Sequence, residues 1–205
     1  MWLPVKPLGP DYDFSGGPQL FEARVDGFLR PLVGAGQKSG LFWAFDRDTG
    51  EVLWRSPVSY GGVNGGMQSE AALGGSRVYA WGNNGYAEDV PVNESSANVI
   101  ALDAATGTTV WRQTEVQPAA LGAAPFLSRD VLFTGAQDGK LRAYRATDGM
   151  KLWASPAMGP VGASPQVVGN ALFVGVGIPD VKGARATAKG VYVYTLGGAR
   201  PAVGP

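Results

Sequence analysis

Apolar and polar residues alternate in short runs along the chain, as in Val131-Leu132-Phe133-Thr134 and Lys140-Leu141-Arg142-Ala143-Tyr144. A period of two sends successive side chains to opposite faces of an extended backbone, so these runs predict strands. Turn residues separate the runs, and no segment has the period of an amphipathic helix. The pattern predicts an all-β fold of many short antiparallel strands.

The runs belong to a repeat. Ala44-Phe45-Asp46 leads to Thr49-Gly50-Glu51-Val52-Leu53-Trp54, and Ala101-Leu102-Asp103 leads to Thr106-Gly107-Thr108-Thr109-Val110-Trp111. Ala143-Tyr144-Arg145 leads likewise to Thr147-Asp148-Gly149-Met150-Lys151-Leu152-Trp153. In each copy Ala precedes Trp by ten positions and Gly precedes it by four. The tryptophans are 57 and 42 residues apart, and the longer interval holds a polar insert around 82–96 that reads as a loop. A fourth copy starts at Gly162-Ala163-Ser164-Pro165, forty residues after Gly122-Ala123-Ala124-Pro125. Its last recognisable strand is Val191-Tyr192-Val193-Tyr194, without the Gly-to-Trp element.

Asp-x-x-Thr-Gly predicts a tight turn in which Asp caps locally and Gly supplies a positive φ. The Trp that follows lies on an outer strand, where it packs across its own sheet or against a neighbour. Units of this length with several strands fit β-propeller blades, approximately 11–57, 67–114, 122–156 and 162–197 of one region. A tryptophan recurring at one place in every blade reads as packing rather than chemistry.

Composition narrows the chemistry. Lys+Arg and Asp+Glu balance at 17 each with no basic stripe, which argues against nucleic acid and anionic membrane surfaces as partners. The 205 residues include no cysteine and no histidine, which removes disulfides, thiolate metal sites, His-based triads and c-type haem attachment within the chain. No stretch approaches the roughly 18 apolar residues of a membrane span. The first six residues have no apolar signal-peptide core.

At Ala-x-Asp-x-x-Thr-Gly-x-x-x-Trp the chain resembles the repeat of pyrroloquinoline quinone (PQQ) enzymes, over nearly its whole length. The resemblance implies a partial β-propeller of about four antiparallel four-stranded blades. Because non-catalytic propellers share the repeat, it speaks for fold before function. The first blade says more. Gly9-Pro10-Asp11-Tyr12-Asp13-Phe14, Gly17-Pro18-Gln19-Leu20 and Val33-Gly34-Ala35-Gly36-Gln37-Lys38-Ser39-Gly40 resemble the polyvinyl-alcohol-dehydrogenase branch of the PQQ alcohol dehydrogenases.

In that family an Asp-aromatic-Asp element supplies the catalytic aspartate, and a basic residue just under thirty positions later contacts the quinone. The resemblance therefore puts Asp11 in the role of catalytic base and Lys38 on the quinone. Asp13, with Asp11, would meet the metal that polarises it, calcium or a lanthanide in the family. These residue types suit the reaction: a carboxylate takes the alcohol proton, and a cation stabilises developing negative charge. Pro10 stands where many members carry Trp. Gly65-Gly66-Met67-Gln68-Ser69-Glu70 resembles a further family stretch, which adds Gln68 and Glu70 as cofactor-binding candidates.

The repeat offers an independent check, because it sets Lys38 opposite Gln137 and Ser39 opposite Asp138. Lys38, Asp11 and Asp13 are thus peculiar to their blade. An acidic turn and a solvated hairpin lysine are the bland alternative for the three. Asn83-Asn84 reads as surface loop, with a place facing the propeller axis as the alternative, and Asn93-Glu94-Ser95 matches a glycosylation acceptor, a pattern common by chance.

The family's ring has eight blades, so the resemblance implies the C-terminal, site-bearing half of a PQQ-dependent alcohol dehydrogenase, inactive by itself. It further implies a small or polymeric alcohol as substrate, an N-terminal propeller half as partner, a cytochrome c as electron acceptor, and a periplasmic or secreted location. The competing expectations are a non-catalytic PQQ-like scaffold for binding or assembly in the cell envelope, or a decayed gene product that keeps only the fold.

Overall fold

The computed structural model describes residues 11–62, 65–84, 95–116, 122–177 and 189–195. Among them are fifteen strands and no helix. The first sheet holds β1 (Gln19–Val25), β2 (Phe28–Gly36), β3 (Leu41–Asp46) and β4 (Val52–Pro57). The second holds β5 (Ala72–Gly74), β6 (Arg77–Asn84), β7 (Ser96–Asp103) and β8 (Thr109–Val116). The third holds β9 (Phe126–Ser128), β10 (Val131–Gly135), β11 (Leu141–Arg145) and β12 (Lys151–Ala154). The fourth has β13 (Gln166–Val168), β14 (Ala171–Val176) and β15 (Gly190–Thr195), three strands among the described residues. Every sheet is an antiparallel meander in chain order.

The four sheets share one register. Leu32 pairs with Asp46, Arg77 with Asp103, Val131 with Arg145 and Ala171 with Thr195. The expected loop at 82–96 is shorter than the sequence suggested. Gly82, Asn83 and Asn84 complete β6, and Asn84 pairs with Ser96 at the start of β7. Polar side chains hid this strand end from the alternation rule.

The expected turn forms in the copies that carry its aspartate. Asp46 Oδ1 accepts from the amides of Asp48 and Thr49, each at 3.0 Å, and Asp103 Oδ1 from those of Ala105 and Thr106, each at 3.1 Å. Where Arg145 replaces the aspartate, the backbone keeps the turn: the Gly149 amide donates to the Arg145 carbonyl at 2.8 Å, as Gly50 and Gly107 donate to Asp46 and Asp103. The three glycines have φ of 74°, 71° and 74°, a region costly for any residue with a Cβ.

The ten-residue Ala–Trp spacing also has a structural cause. Ala44, Ala101 and Ala143 lie directly across the strand pair from Trp54, Trp111 and Trp153. A methyl opposite an indole leaves the ring room to lie along the sheet. The register shifts by one residue immediately after each of these pairs.

Two of the indoles then reach the next sheet. Trp54 Nε1 donates to the Ala104 carbonyl at 3.2 Å, and Trp111 Nε1 to the Ala146 carbonyl at 2.8 Å. Each ring covers the turn glycine there. A Cβ on Gly107 would come within 2.5 Å of Trp54, and one on Gly149 within 2.6 Å of Trp111. The glycine thus provides both the turn conformation and the seat for the preceding indole.

Apolar side chains fill the spaces between neighbouring sheets. Leu32, Phe42 and Ala44 meet Val78, Ala80, Ile100 and Leu102 between the first and second. Val99, Ala101 and Trp111 meet Leu132 and Tyr144 between the second and third, and Leu141 and Val161 meet Leu172 and Val174 between the third and fourth.

A buried charged cluster also ties the second sheet to the third. Glu115 on β8 accepts from Arg142 Nε at 3.1 Å and from the Tyr144 hydroxyl at 2.6 Å, and it pairs with Lys151. Arg142 is held from its other side by Asp138. Burial alone would push the Glu115 carboxyl up. The hydrogen bonds from Lys151 and Tyr144 and the charge of Arg142 outweigh it and hold the group below its ordinary 4.5. Burial, reinforced by Glu115, raises the Tyr144 hydroxyl far above its usual range.

Candidate functional site

Lys38 sits in the tight connection from β2 to β3. The Gln37 amide donates to the Leu41 carbonyl and the Gly40 amide to the Gln37 carbonyl, both at 2.9 Å. The Lys38 amide donates to the Asp13 carbonyl at 3.0 Å, which docks the leading segment along the turn. Lys38 Nζ then lies 2.9 Å from Asp11 Oδ2 and 3.0 Å from Asp13 Oδ2. The structure thus gathers the three residues that stood out from the repeat.

Exposure is unequal within this cluster. The lysine side chain is 15% exposed, while those of Asp11 and Asp13 are 44% and 56% exposed. Two acids facing solvent around one shielded ammonium leave the carboxylates accessible to a small molecule. Contact with Asp11 and with the Lys38 ammonium holds the Asp13 carboxyl below its ordinary 3.8. Asp11 first and Asp13 second raise the Lys38 ammonium above its ordinary 10.5. Both shifts favour the charged forms of Asp13 and Lys38.

The chain between the first and second sheets presses on the lysine backbone. The Gly62 amide donates to the Lys38 carbonyl at 3.1 Å, and the Met67 amide to the Gln37 carbonyl at 3.1 Å. Gly66 touches the Lys38 carbonyl so closely that a Cβ there would lie 2.2 Å from it, at a φ of 69°. This contact accounts for the glycine at 66.

Gln68 and Glu70 have other contacts. Gln68 Nε2 reaches the Gly65 carbonyl of its own loop at 3.4 Å, and Glu70 Oε1 accepts from the Gly17 amide at 3.3 Å. No contact joins either of them to Lys38, Asp11 or Asp13 among the described residues.

Asn83 and Asn84 are not surface loop. Asn83 is 1% exposed, accepts from Trp81 Nε1 at 2.9 Å, and exchanges backbone hydrogen bonds with Gly66. Asn84 Oδ1 accepts from the Tyr60 amide at 3.0 Å. Through Gly66, Asn83 lies beside the Lys38 turn. It also holds the register place in its sheet that Lys38 holds in the first, a signal available by extending the repeat alignment. Gln37, whose Oε1 accepts from Ser39 and Trp43, carried no sequence signal. Residues 93 and 94 of the glycosylation pattern lie outside the described residues.

The donor set can be compared with what the implied cofactor site needs. Hard carboxylate oxygens suit calcium or a lanthanide, but two acids fall short of the six or more ligands calcium takes. No group of three or more His, Cys, Asp or Glu able to hold a metal occurs among the described residues. The same cluster offers a shielded ammonium to an anionic or quinone oxygen. It would therefore fit the group only as one wall of a site whose remaining ligands would have to come from elsewhere.

A separate cavity of about 790 Å³ opens between the third and fourth sheets, lined by Phe133, Trp153, Leu172 and Tyr194 with Arg129 and Asp130 among its polar groups. It is remote in the fold from the Asp11–Lys38 cluster and contains none of the candidate residues.

Comparison with known proteins agrees with this architecture. A PQQ-repeat family profile, described as outer membrane protein assembly factor BamB, matches residues 95–188. Polyvinylalcohol dehydrogenase of Pseudomonas sp. is 30% identical over 193 residues, covering 82% of this chain and 29% of that protein. Outer membrane protein assembly factor BamB of Yersinia pestis is 32% identical over 157 residues, covering 72% of this chain and 38% of that protein. The crystal structure of quinohemoprotein alcohol dehydrogenase from Comamonas testosteroni superposes with a TM-score of 0.73 at 20% identity, covering 95% of this chain and 40% of that one. At that identity the superposition speaks for the fold alone.

The chain is a PQQ-repeat β-propeller, open and of about four blades, similar to quinoprotein alcohol dehydrogenases. It spans less than a third of the polyvinylalcohol dehydrogenase that it matches.

Proposed function

We propose that the chain is the site-bearing part of a PQQ-dependent alcohol dehydrogenase. The observation that carries this reading is Lys38 Nζ held between Asp11 and Asp13 at 2.9 and 3.0 Å. When bound, PQQ supplies the two-electron acceptor for hydride from the alcohol carbon. Asp11 meets Lys38 through Oδ2, leaving Oδ1 to take the hydroxyl proton. Lys38 brings positive charge to where negative charge develops. Asp13 keeps the lysine charged and, with Asp11, offers oxygen ligands to calcium or a lanthanide. Gln68 and Glu70, in contact with Gly65 and Gly17, stay in this reading as further cofactor-binding candidates.

By itself the chain is expected to turn over no alcohol, since it forms one wall of the site. Its other wall would come from an N-terminal propeller half, with a cytochrome c as electron acceptor and the periplasm as location. The test is titration of the chain with PQQ and calcium, followed by absorbance and by dye reduction with primary alcohols. The reading expects weak quinone binding that Lys38→Ala removes, and no dye reduction until the complementary blades are added. Quinone binding unaffected by Lys38→Ala would overturn it.

A second reading, a non-catalytic scaffold in the cell envelope, is favoured by the BamB description of the profile matching residues 95–188. It requires only the repeat. It predicts that Asp11, Asp13 and Lys38 can all be replaced without loss of partner binding.

A further inference from the structure

We propose that Gln37 is the positioning residue for Lys38: its carboxamide oxygen, held by Ser39 and Trp43, fixes the turn that carries the ammonium between Asp11 and Asp13. The fixing of the turn stands on geometry alone. Its consequence for a bound quinone rests on the catalytic reading above.

Gln37 and Ser39 stand on either side of Lys38 in the chain. Ser39 Oγ donates to Gln37 Oε1 at 2.6 Å, and Trp43 Nε1 donates to the same oxygen at 3.1 Å. An indole N–H can only donate, so it fixes which end of the carboxamide faces it. The Ser39 bond closes a ring that spans the Lys38 backbone, and a closed ring restricts the φ and ψ within it. Ser39 Oγ also accepts from the Leu41 amide at 3.4 Å. The Trp43 bond ties the ring to β3. Trp43 is itself held, since Phe45 stacks on it with centroids 6.2 Å apart and the Arg55 guanidinium lies over its ring at 5.3 Å.

A lysine needs such support to keep one geometry. Its ammonium ends a flexible four-carbon stem, and rotation about that stem carries it away from a fixed partner. Nζ nevertheless lies 2.9 Å from one carboxylate and 3.0 Å from another. The fold sets the root of the stem, and the root is the residue enclosed by Gln37 and Ser39.

The third sheet shows that the backbone turn does not require the glutamine. By the shared register, Ala136, Gln137, Asp138 and Arg142 take the places of Gln37, Lys38, Ser39 and Trp43. The Gly139 amide donates to the Ala136 carbonyl at 3.1 Å, as Gly40 donates to Gln37. Ala136 has no side chain to form a bridge, and Asp138 and Arg142 bond to each other directly. The same turn thus forms around an alanine. What Gln37 adds is a bridge across the one residue of this turn that meets two acids.

The test follows Lys38 in the whole chain, through the titration of its Nζ resonance and through PQQ absorbance with calcium present. Asp11 and Asp13 raise the Lys38 ammonium above 10.5. Gln37→Ala should leave the turn formed, as in the third sheet, and bring the titration at least about 0.5 closer on the pH scale to that ordinary value. Ser39→Ala should do the same, and Ser39→Thr, which keeps the hydroxyl, should not. PQQ binding should weaken about 2–10-fold in Gln37→Ala and Ser39→Ala, the worth of one hydrogen bond, and stay unchanged in Ser39→Thr.

Ser56→Ala is the control for a merely structural loss. It breaks a buried bond from the same sheet to the Gly107 carbonyl, and should lower the urea midpoint without moving the titration. A titration unmoved in Gln37→Ala, or moved as far in Ser56→Ala, overturns the proposal. If Gln37→Ala does not fold, the Ser39 pair decides: equal titrations in the alanine and threonine variants overturn it. Quinone binding that needs Lys38 yet is unchanged in Gln37→Ala overturns it as well. A chain that binds no PQQ removes the catalytic reading, while the titrations still decide the role of Gln37.

Discussion

Trp111 Nε1 donates a 2.8 Å hydrogen bond to the carbonyl of Ala146, and the same indole covers Gly149 three residues further on. One side chain thereby joins the outer strand of the second sheet to the turn between the last two strands of the third. Trp54 does the same to Ala104 and Gly107. The repeated Gly-to-Trp element therefore interlocks the first three sheets: Gly107 and Gly149 receive the indoles that Trp54 and Trp111 deliver.

Trp111→Ala should cost about 3–5 kcal/mol, since it removes a buried aromatic and a hydrogen bond and leaves a cavity between sheets. Trp153→Ala should cost clearly less, because that ring is 38% exposed. Urea unfolding of the two variants gives the comparison.

Two glycines separate backbone strain from steric seating. Gly75 and Gly149 have φ of 58° and 74°, but a Cβ on Gly75 meets nothing within 4 Å. Gly75→Ala should cost only the left-handed strain, about 1–2 kcal/mol. Gly149→Ala adds a collision with Trp111 and should cost at least twice as much in the same unfolding assay.

Glu115→Gln should destabilise by about 1.5–3 kcal/mol at neutral pH, because Arg142 would lose one of its two buried carboxylate partners. The Glu115 carboxyl lies below its ordinary value in the folded state, so its contribution is present above the unfolded carboxylate range and lost as pH falls through the folded value. The variant should flatten the acid limb of the stability profile, which chemical unfolding between neutrality and acid pH will show.

The Lys38 cluster gives a pH signature of opposite sign at each end. Raised above 10.5, the lysine contributes stability present below that value and lost as pH rises through its folded value. Asp13, held below 3.8, contributes stability lost as pH falls through its own folded value. In Asp11→Asn with Asp13→Asn, the Lys38 Nζ resonance should titrate nearer the ordinary lysine value. An unchanged titration would count against the pairing.

In chain reconstituted with complementary blades, PQQ and calcium, Asp11→Asn should reduce alcohol oxidation by about 10²–10⁴-fold while leaving the circular dichroism spectrum unchanged. Steady-state dye reduction measures this directly, and full activity in the variant would remove Asp11 from the chemistry.

Much of the site was legible because its residues break the repeat. Asp11, Asp13 and Lys38 are exceptions to a pattern that explains their neighbours, and the structure brings them within one hydrogen-bonding cluster. Gln68 and Glu70 were suggested by local likeness, and in the structure they contact Gly65 and Gly17. Asn83 was hidden because a polar strand end looks like a loop when pairing partners are unknown. The Glu115–Arg142–Lys151 cluster was equally hidden, since its members lie 27 and 36 positions apart on two sheets.

The sequence by itself determined the strands, the turns, the repeat and its period, because alternation, turn chemistry and spacing are local. It also marked the three residues that depart from the repeat. Only the tertiary structure decided what the tryptophans hold, since a bond from Trp54 to Ala104 depends on how one sheet lies against the next. It likewise decided that Lys38 stands between two carboxylates. Contacts between sheets depend on relative placement in space, and no local pattern encodes that.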